Sequence, residues 1–264
     1  MGPVLHSTPS MVPAPAPTVS VVLPALNLGK VIAENISRVR RVLGDVEIVV
    51  VDDGSSDNTL AECQRAAASN SVRVLRHEVN RGKGEALFTG ARATVTEIVV
   101  FLDADLDLPP EQVPGLVANM GDVDLLVGAK RSAMRGGRYP LVRRLLSRLF
   151  AFLTVGLFRL PVRETQTGLK VLRRSIIDQV LPEMRIHGYA YDLEMLIRSH
   201  RAGFLIKEVP VELGPTASEA PVRTAMMWQL GRDTVRLLSW TVTGKIPRRR
   251  VSPAVADGLR LPGP

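Results

Sequence analysis

The sequence predicts an α/β fold, a mainly parallel sheet flanked by helices. From Val19 to Ala129, short β-branched apolar runs alternate with longer segments of helical periodicity. That alternation is the pattern of right-handed β-α-β crossovers. The run Ile98–Leu102 reads as a buried strand and ends in Asp103, Asp105 and Asp107. Strand ends are where open α/β sheets place their ligands.

The elements follow in order. Val19–Leu23 is apolar and β-branched, a first strand. Gly29 to Leu43 is helical in spacing, with Val31, Ile32, Ile36, Val39, Val42 and Leu43 on one face. Glu47–Val51 is a second strand, and Asp57, a capping residue type, opens a helix to Ala68. Val72–Arg76 is a short strand, Lys83 to Ala93 a helix, Ile98–Leu102 a strand, Gln112 to Met120 a helix and Asp124–Val127 a strand. Beyond Lys130 the texture changes. Lys130, Arg131, Arg135, Arg138, Arg143, Arg144 and Arg148 occur with no acid among them and run into the apolar stretch Leu149 to Phe158. A basic face beside an apolar run suits an interfacial amphipathic element, though a solvated face explains the charges equally well. Thr165–Lys170 reads as a strand-like return, Asp192 to Ala202 as a helix, Ile206–Val211 as an edge strand and Ala225 to Val242 as an amphipathic helix.

Several motifs carry chemistry. If the chain stays extended past Leu102, Asp103, Asp105 and Asp107 point the same way and converge on one cation. Hard oxygen ligands suit Mg²⁺ or Mn²⁺ holding a phosphate, and a strand cap would need one acid rather than three. Asp52 and Asp53 end the second strand ahead of Gly54. Turn chemistry and capping explain Gly54, Ser56 and Asp57. They leave the paired acids to accept hydrogen bonds from a base or ribose. Asn80–Gly84 precedes a helix, so its N–H groups and Lys83 offer a phosphate site or a plain turn. His6, His77, His187 and His200 are scattered without ligand spacing and read as core or surface residues.

Bulk properties narrow the partners. The 264 residues carry 34 basic and 26 acidic side chains, a net charge of +8 and a pI near 10.2. That balance favours phosphates or anionic lipid. Aromatic residues make up only 4%, without interleaving among the basic ones, which argues against nucleic acid. Cys63 is the sole cysteine, so a disulfide framework is excluded and a reducing cytoplasm fits. Only ten residues separate Arg148 from Arg159 in the most apolar stretch, against the roughly 20 a bilayer requires. Residues 1–18 are Pro/Ala-rich without a basic leader and read as a disordered tail, as does 248–264.

Together Val22–Asn27, VVVDDGSSDNT (Val49 to Thr59), NRGKGEA (Asn80 to Ala86) and FLDADLD (Phe101 to Asp107) resemble the inverting family-2 glycosyltransferases of the GT-A fold. Lys130–Arg131, Gln166–Lys170 and Tyr189–Glu194 look most like the dolichyl-phosphate mannose and glucose synthases. The resemblance implies a Rossmann-like GT-A domain over 19–215, with a nucleotide-sugar half (19–129) and an acceptor half (130–215), followed by an amphipathic helical extension (216–247). It implies that Pro24, Ala25, Asn27 and Asp53 (or Asp52) line the nucleoside pocket, that Lys83 lies near the base or phosphates, and that Gln166 contacts substrate. By the same resemblance Asp103, Ala104 and Asp105 are expected to form a DxD-type motif, with Asp105 binding the divalent ion and Asp107 a second ligand. The resemblance also implies that Lys130 and Arg131 face the acceptor phosphate or the diphosphate. The chain departs from the family at Leu26 and Leu28, where relatives have an aromatic and a Glu, and at Glu164, where they often have Asp.

The implied reaction moves a hexose from a GDP- or UDP-sugar to a polyprenyl phosphate with inversion, on the inner face of an anionic membrane, in a possible homo-oligomer. Transfer to a soluble hydroxyl is the alternative and needs a base, with Asp192 or Glu194 as candidates. A non-catalytic nucleotide-sugar or anionic-lipid binding module is a third reading, less suited to three intact acids.

Overall fold

The structure, a computed structural model, describes residues 17–70, 72–130, 156–215 and 224–248. Seven strands form one sheet: β1 (Val19–Ala25), β2 (Glu47–Asp53), β3 (Arg73–His77), β4 (Ile98–Leu102), β5 (Leu125–Lys130), β6 (Leu169–Arg173) and β7 (Ile206–Val211). Their order is β3-β2-β1-β4-β6-β5-β7. All pairings are parallel except those of β6, which runs antiparallel to both β4 and β5. β7 lies at the edge, as its sequence predicts.

The β-branched runs form strands because both faces of the sheet are covered, so consecutive positions find apolar partners. Along β4, Val99 and Phe101 enter one core, whereas Ile98, Val100 and Leu102 enter the other. The second core is closed by α1 (Ile32–Leu43), α2 (Thr59–Asn70) and α4 (Val113–Ala118), through residues such as Ile36, Cys63 and Leu116. The first is closed by α3 (Lys83–Arg92), α5 (Arg174–Gln179), α6 (Tyr191–Ala202) and α7 (Thr224–Val242), through Phe88, Ile176, Leu196 and Leu237. Gly90 lets α3 lie against the sheet, since a Cβ there would meet Val22 Cγ1 at 2.3 Å.

Most boundaries differ from the sequence reading by one to three residues, and at α2 a cap accounts for the difference. α2 begins at Thr59 rather than Asp57, whose Oδ1 accepts the Thr59 N–H at 2.9 Å and its hydroxyl at 2.5 Å. The hydroxyl bond holds the Asp57 carboxyl below its ordinary value. The short helix α5 was not foreseen. Its six residues are too few for periodicity to register. Of the interfacial element expected over Arg138 to Phe158, residues up to 155 lie outside the described residues; of the described remainder, Phe158 is buried in the first core rather than offered to a surface. Both expected tails, apart from a residue or two at their inner ends, also lie outside the described residues.

Candidate active site

The strand order reverses between β1 and β4, so the crevice beyond their carboxyl ends is where this sheet takes a ligand. β1 delivers Pro24 and Ala25 there, β2 Asp52 and Asp53, β4 Asp103, and β5 Lys130. β6 starts where β4 ends, because the two are antiparallel with Leu102 opposite Leu169 and Phe101 opposite Lys170. The turn before β6 therefore comes to lie beside Asp103, whose N–H donates to the Gly168 carbonyl at 3.0 Å.

A ladder of alternating charge runs through the crevice. Lys83 Nζ lies 2.5 Å from Asp103 Oδ1 and 2.7 Å from Oδ2. Burial works against both charges, but each holds the other ionised: Asp103 falls below its ordinary value, and Lys83, helped also by Asp192, rises above its own. Both side chains reach water, which screens part of this attraction. Lys130 stands close enough to favour the ionised forms of Asp103 and Glu164. Burial nevertheless pushes Glu164 above its ordinary value. Asp105 is exposed, yet the protein around it and the carboxylates of Asp103 and Asp107 push its carboxyl up.

The expected convergence of three acids on one cation is corrected. The chain does not stay extended past Leu102, and Leu106 turns it back with φ +55°. The Asp107 N–H instead donates to Asp105 Oδ1 at 3.2 Å. No group of three His, Cys, Asp or Glu side chains able to hold a metal occurs among the described residues. What remains fits the same kind of cation held differently. Mg²⁺ is held by one or two carboxylates plus substrate phosphates rather than by a protein cage. Asp103 and Asp105 supply hard oxygens in a crevice already crowded with negative charge. Gly168 presses so closely on Asp103 that a Cβ would lie 2.2 Å from Oδ2.

Other expectations change in detail. Asp53 is buried, and three donors already engage it: His77 Nδ1 at 2.7 Å, the Arg81 N–H at 2.9 Å and the Gly82 N–H at 2.9 Å. Asp52 is also buried, and its Oδ1 accepts the Ser55 N–H at 3.3 Å. The loop Asn80–Gly84 does not offer a free nest for phosphate: the Arg81 and Gly82 donors go to Asp53, and the Gly84 N–H goes to the His187 carbonyl at 3.0 Å. Lys83 reaches the crevice as a charged donor. Asn27, with φ +53°, stitches two loops together, its Oδ1 accepting the Ser56 N–H at 2.9 Å. Ala104 is buried, and its carbonyl accepts from Asn35 Nδ2 at 2.8 Å. Gln166 Nε2 donates to the Tyr189 carbonyl at 3.1 Å. Arg131 lies outside the described residues.

Asp192 is not a carboxylate facing a substrate: it is buried and pairs with Lys170 Nζ at 2.5 Å. Glu194 is buried too, accepting from Arg198 Nε at 2.7 Å and from the N–H groups of Arg185 and Ile186 at 3.0 and 2.7 Å. Sequence reasoning gave Lys170 no role of its own. A lysine inside an otherwise apolar strand was the available signal.

The glycosyl transferase family 2 model matches residues 20–181. The dolichol-phosphate mannosyltransferase of Pyrococcus furiosus is 30% identical over 241 residues, which are 87% of this chain and 66% of that protein. The undecaprenyl-phosphate mannosyltransferase of Micrococcus luteus is 28% identical over 240 residues, 86% of this chain and 95% of that protein. The glycosyltransferase AglD of Haloferax volcanii is 27% identical, and the chain spans only 42% of its length. Among solved structures, glucosyl-3-phosphoglycerate synthase from Mycobacterium tuberculosis with Mg²⁺ and uridine diphosphate has a TM-score of 0.63 at 27% identity, covering 84% of this chain and 78% of that one. The same enzyme with Mn²⁺, UDP-glucose and phosphoglyceric acid has a TM-score of 0.62, again at 27% identity, over 84% and 78% of the two chains. With the sheet order, the crevice at its switch point and these matches in agreement, the chain belongs to the family-2 glycosyltransferases, built on the GT-A fold.

Proposed function

We propose that the chain is an enzyme that transfers a hexose from a nucleotide-sugar, GDP- or UDP-linked, to a polyprenyl phosphate with inversion, at an anionic membrane surface. The observation that carries the reading is the charge ladder at the ends of β4, β5 and β6, where Lys83, Asp103, Asp105 and Lys130 meet. A donor's diphosphate needs this combination, cations to hold its oxygens and carboxylates to hold a bridging metal. Lys83 would leave Asp103 for a phosphate oxygen, a charge-assisted bond of similar strength. A divalent cation held by Asp103 and Asp105 would neutralise the charge developing on the departing diphosphate. Lys130, and Arg131 by its sequence position, would steer the acceptor. The names of the Pyrococcus and Micrococcus relatives support a polyprenyl-phosphate acceptor.

The chemistry of attack favours the same acceptor. A phosphate is already ionised at neutral pH and needs no base, whereas a hydroxyl does. The two carboxylates that sequence offered as bases, Asp192 and Glu194, are both buried and committed to partners. A soluble acceptor remains the second reading, favoured by the likeness to the Mycobacterium synthase, which was solved with phosphoglyceric acid.

A radiolabel transfer assay crossing GDP-mannose, GDP-glucose, UDP-glucose and UDP-galactose with a polyprenyl phosphate and with 3-phosphoglycerate tests both. Label is expected in the lipid fraction, lost with EDTA and restored by MnCl₂. Asp105→Asn is expected to lower the rate about a thousandfold, the equivalent of several kcal/mol of leaving-group stabilisation. Full activity in metal-free buffer would remove the cation from the reading. Label found only in phosphoglycerate would establish the second reading.

A further inference from the structure

We propose that the buried Lys170–Asp192 ion pair is a positioning device: it holds the turn 165–168 against Asp103 and so sets the metal-diphosphate end of the donor site. The proposal rests on Asp103 belonging to that site.

Lys170 lies in β6 between β4 and β5, opposite Phe101 on one side and Val127 on the other. It is 1% exposed, so it touches no ligand in the crevice. Packing gives no reason for a lysine here. Taking an ammonium group out of water often costs more than its partner returns, and an apolar side chain of similar volume usually serves the core as well. Burial accordingly pulls the Lys170 ammonium below its ordinary value.

What the lysine does that an apolar side chain cannot is join three elements. Its Nζ donates to the Thr167 carbonyl at 2.6 Å and pairs with Asp192 Oδ1 at 2.5 Å, in the first turn of α6. The Tyr191 ring closes over it, with Nζ 5.8 Å from the centroid. The turn carrying Thr167 is thereby fastened to α6. The next residue, Gly168, fixes Asp103 twice. Its carbonyl accepts the Asp103 N–H at 3.0 Å, and its Cα faces the carboxylate with no room for a Cβ. The chain of contacts thus runs from Asp192 through Lys170, Thr167 and Gly168 to the Asp103 side chain. Partners one shell behind a metal-binding carboxylate commonly change metal affinity about ten- to a hundredfold when removed.

The test is calorimetry on the full chain, titrating UDP and GDP, then UMP and GMP, each with and without MnCl₂. The quantity read is the gain in diphosphate affinity that Mn²⁺ provides. In Lys170→Met/Asp192→Leu, which removes both charges at similar volume, the gain is expected to fall about ten- to a hundredfold. Metal-free affinity for the monophosphate should be unchanged, because β1 and β2 are untouched. Gly168→Ala should produce the same split by displacing the Asp103 carboxylate from the other side. A full gain in the double variant overturns the proposal, and so does an equal loss of monophosphate affinity, the mark of general damage. If the double variant does not fold, Lys170→Gln, which removes the charge, and Gly168→Ala decide: loss of the gain in both supports the proposal, and a full gain in either overturns it. Asp103→Asn separates the two layers. Loss of the gain there with its survival in the Lys170 variants overturns positioning alone. Its survival in Asp103→Asn, or its absence from the unaltered chain, overturns the donor-site reading as well.

Discussion

At the end of β2 two adjacent aspartates differ in their surroundings. The Asp53 carboxylate takes up His77, Arg81 and Gly82, whereas Asp52 takes the Ser55 N–H on one oxygen. An amide in place of Asp53 keeps one acceptor oxygen and brings an NH₂ group toward backbone donors. Asp53→Asn is therefore expected to destabilise the fold by about 2–3 kcal/mol, the range for buried bonds to a charged group. Urea denaturation measures it, and unaltered stability would mean the loop is held by other contacts. Cys63 offers a second check at this scale. Burial, aided by the Asp52 charge, pushes its thiol up to about 12. The thiolate is the reactive form, so Ellman's reagent should leave native Cys63 unmodified and react promptly in denaturant. Prompt reaction in native protein would show that α2 opens readily.

Among elements, the contact between the start of α3 and the segment leading into α6 sets the geometry of the crevice. Gly82, at φ +95°, carries the chain into α3, and a Cβ there would meet the His187 carbonyl at 2.5 Å. Gly84 lies against Tyr191, whose Cβ would be 2.7 Å from an added Cβ. His187 Nδ1 also meets Glu85 Oε2 at 2.7 Å. Lys83 thus projects between two glycines pinned to His187 and Tyr191. Gly84→Ala is expected to push α3 and α6 apart, lowering stability by about 1–3 kcal/mol as overpacking does. It should also weaken nucleotide binding, because Lys83 moves with the helix. Thermal melting and UDP or GDP titration check both. A variant as stable and as avid as the parent would show that the contact yields without consequence.

Over the whole molecule the charge is unevenly placed. The segment Lys130 to Arg148 carries seven basic residues and no acid. On α7, Leu230, Leu237 and Trp240 are buried in the core, while Trp228, Val235 and Val242 stand exposed at intervals of seven beside Arg232 and Arg236. No helix among the described residues is long and apolar enough to cross a membrane. If the protein acts at a membrane, these basic residues would favour anionic lipid, each near the surface worth about 1 kcal/mol. The protein is expected to sediment with anionic liposomes at low salt and to be released at high salt, where screening shortens the reach of each charge. Arg143→Glu with Arg144→Glu should reduce both lipid binding and transfer to lipid phosphate, leaving nucleotide affinity as it was. Indifference to liposomes would favour the soluble acceptor.

The sequence by itself determined the alternation of strands and helices and the strand ends that carry acids. These follow from local patterns: a run such as Ile98–Leu102 has one way to bury its side chains, and the sheet supplies it. It also singled out Asp103 and Asp105, because acids at the end of an apolar run stand out by contrast, and Lys83, from the glycine-rich turn ahead of a helix; the structure brings Lys83 and Asp103 together. Only the tertiary structure decided which acids share a crevice and which are spent inside the fold. Asp105 and Asp107 lie two apart, but the turn at Leu106 redirects the second. Asp192 and Glu194 also lie two apart, and both are buried with partners, Lys170 from the neighbouring strand for one and the nearby Arg185–Ile186 backbone for the other. The antiparallel β6 makes the difference. It returns residues 165–170 to the end of β4, some 65 positions from Asp103, and no periodicity in the sequence encodes a pairing at that distance.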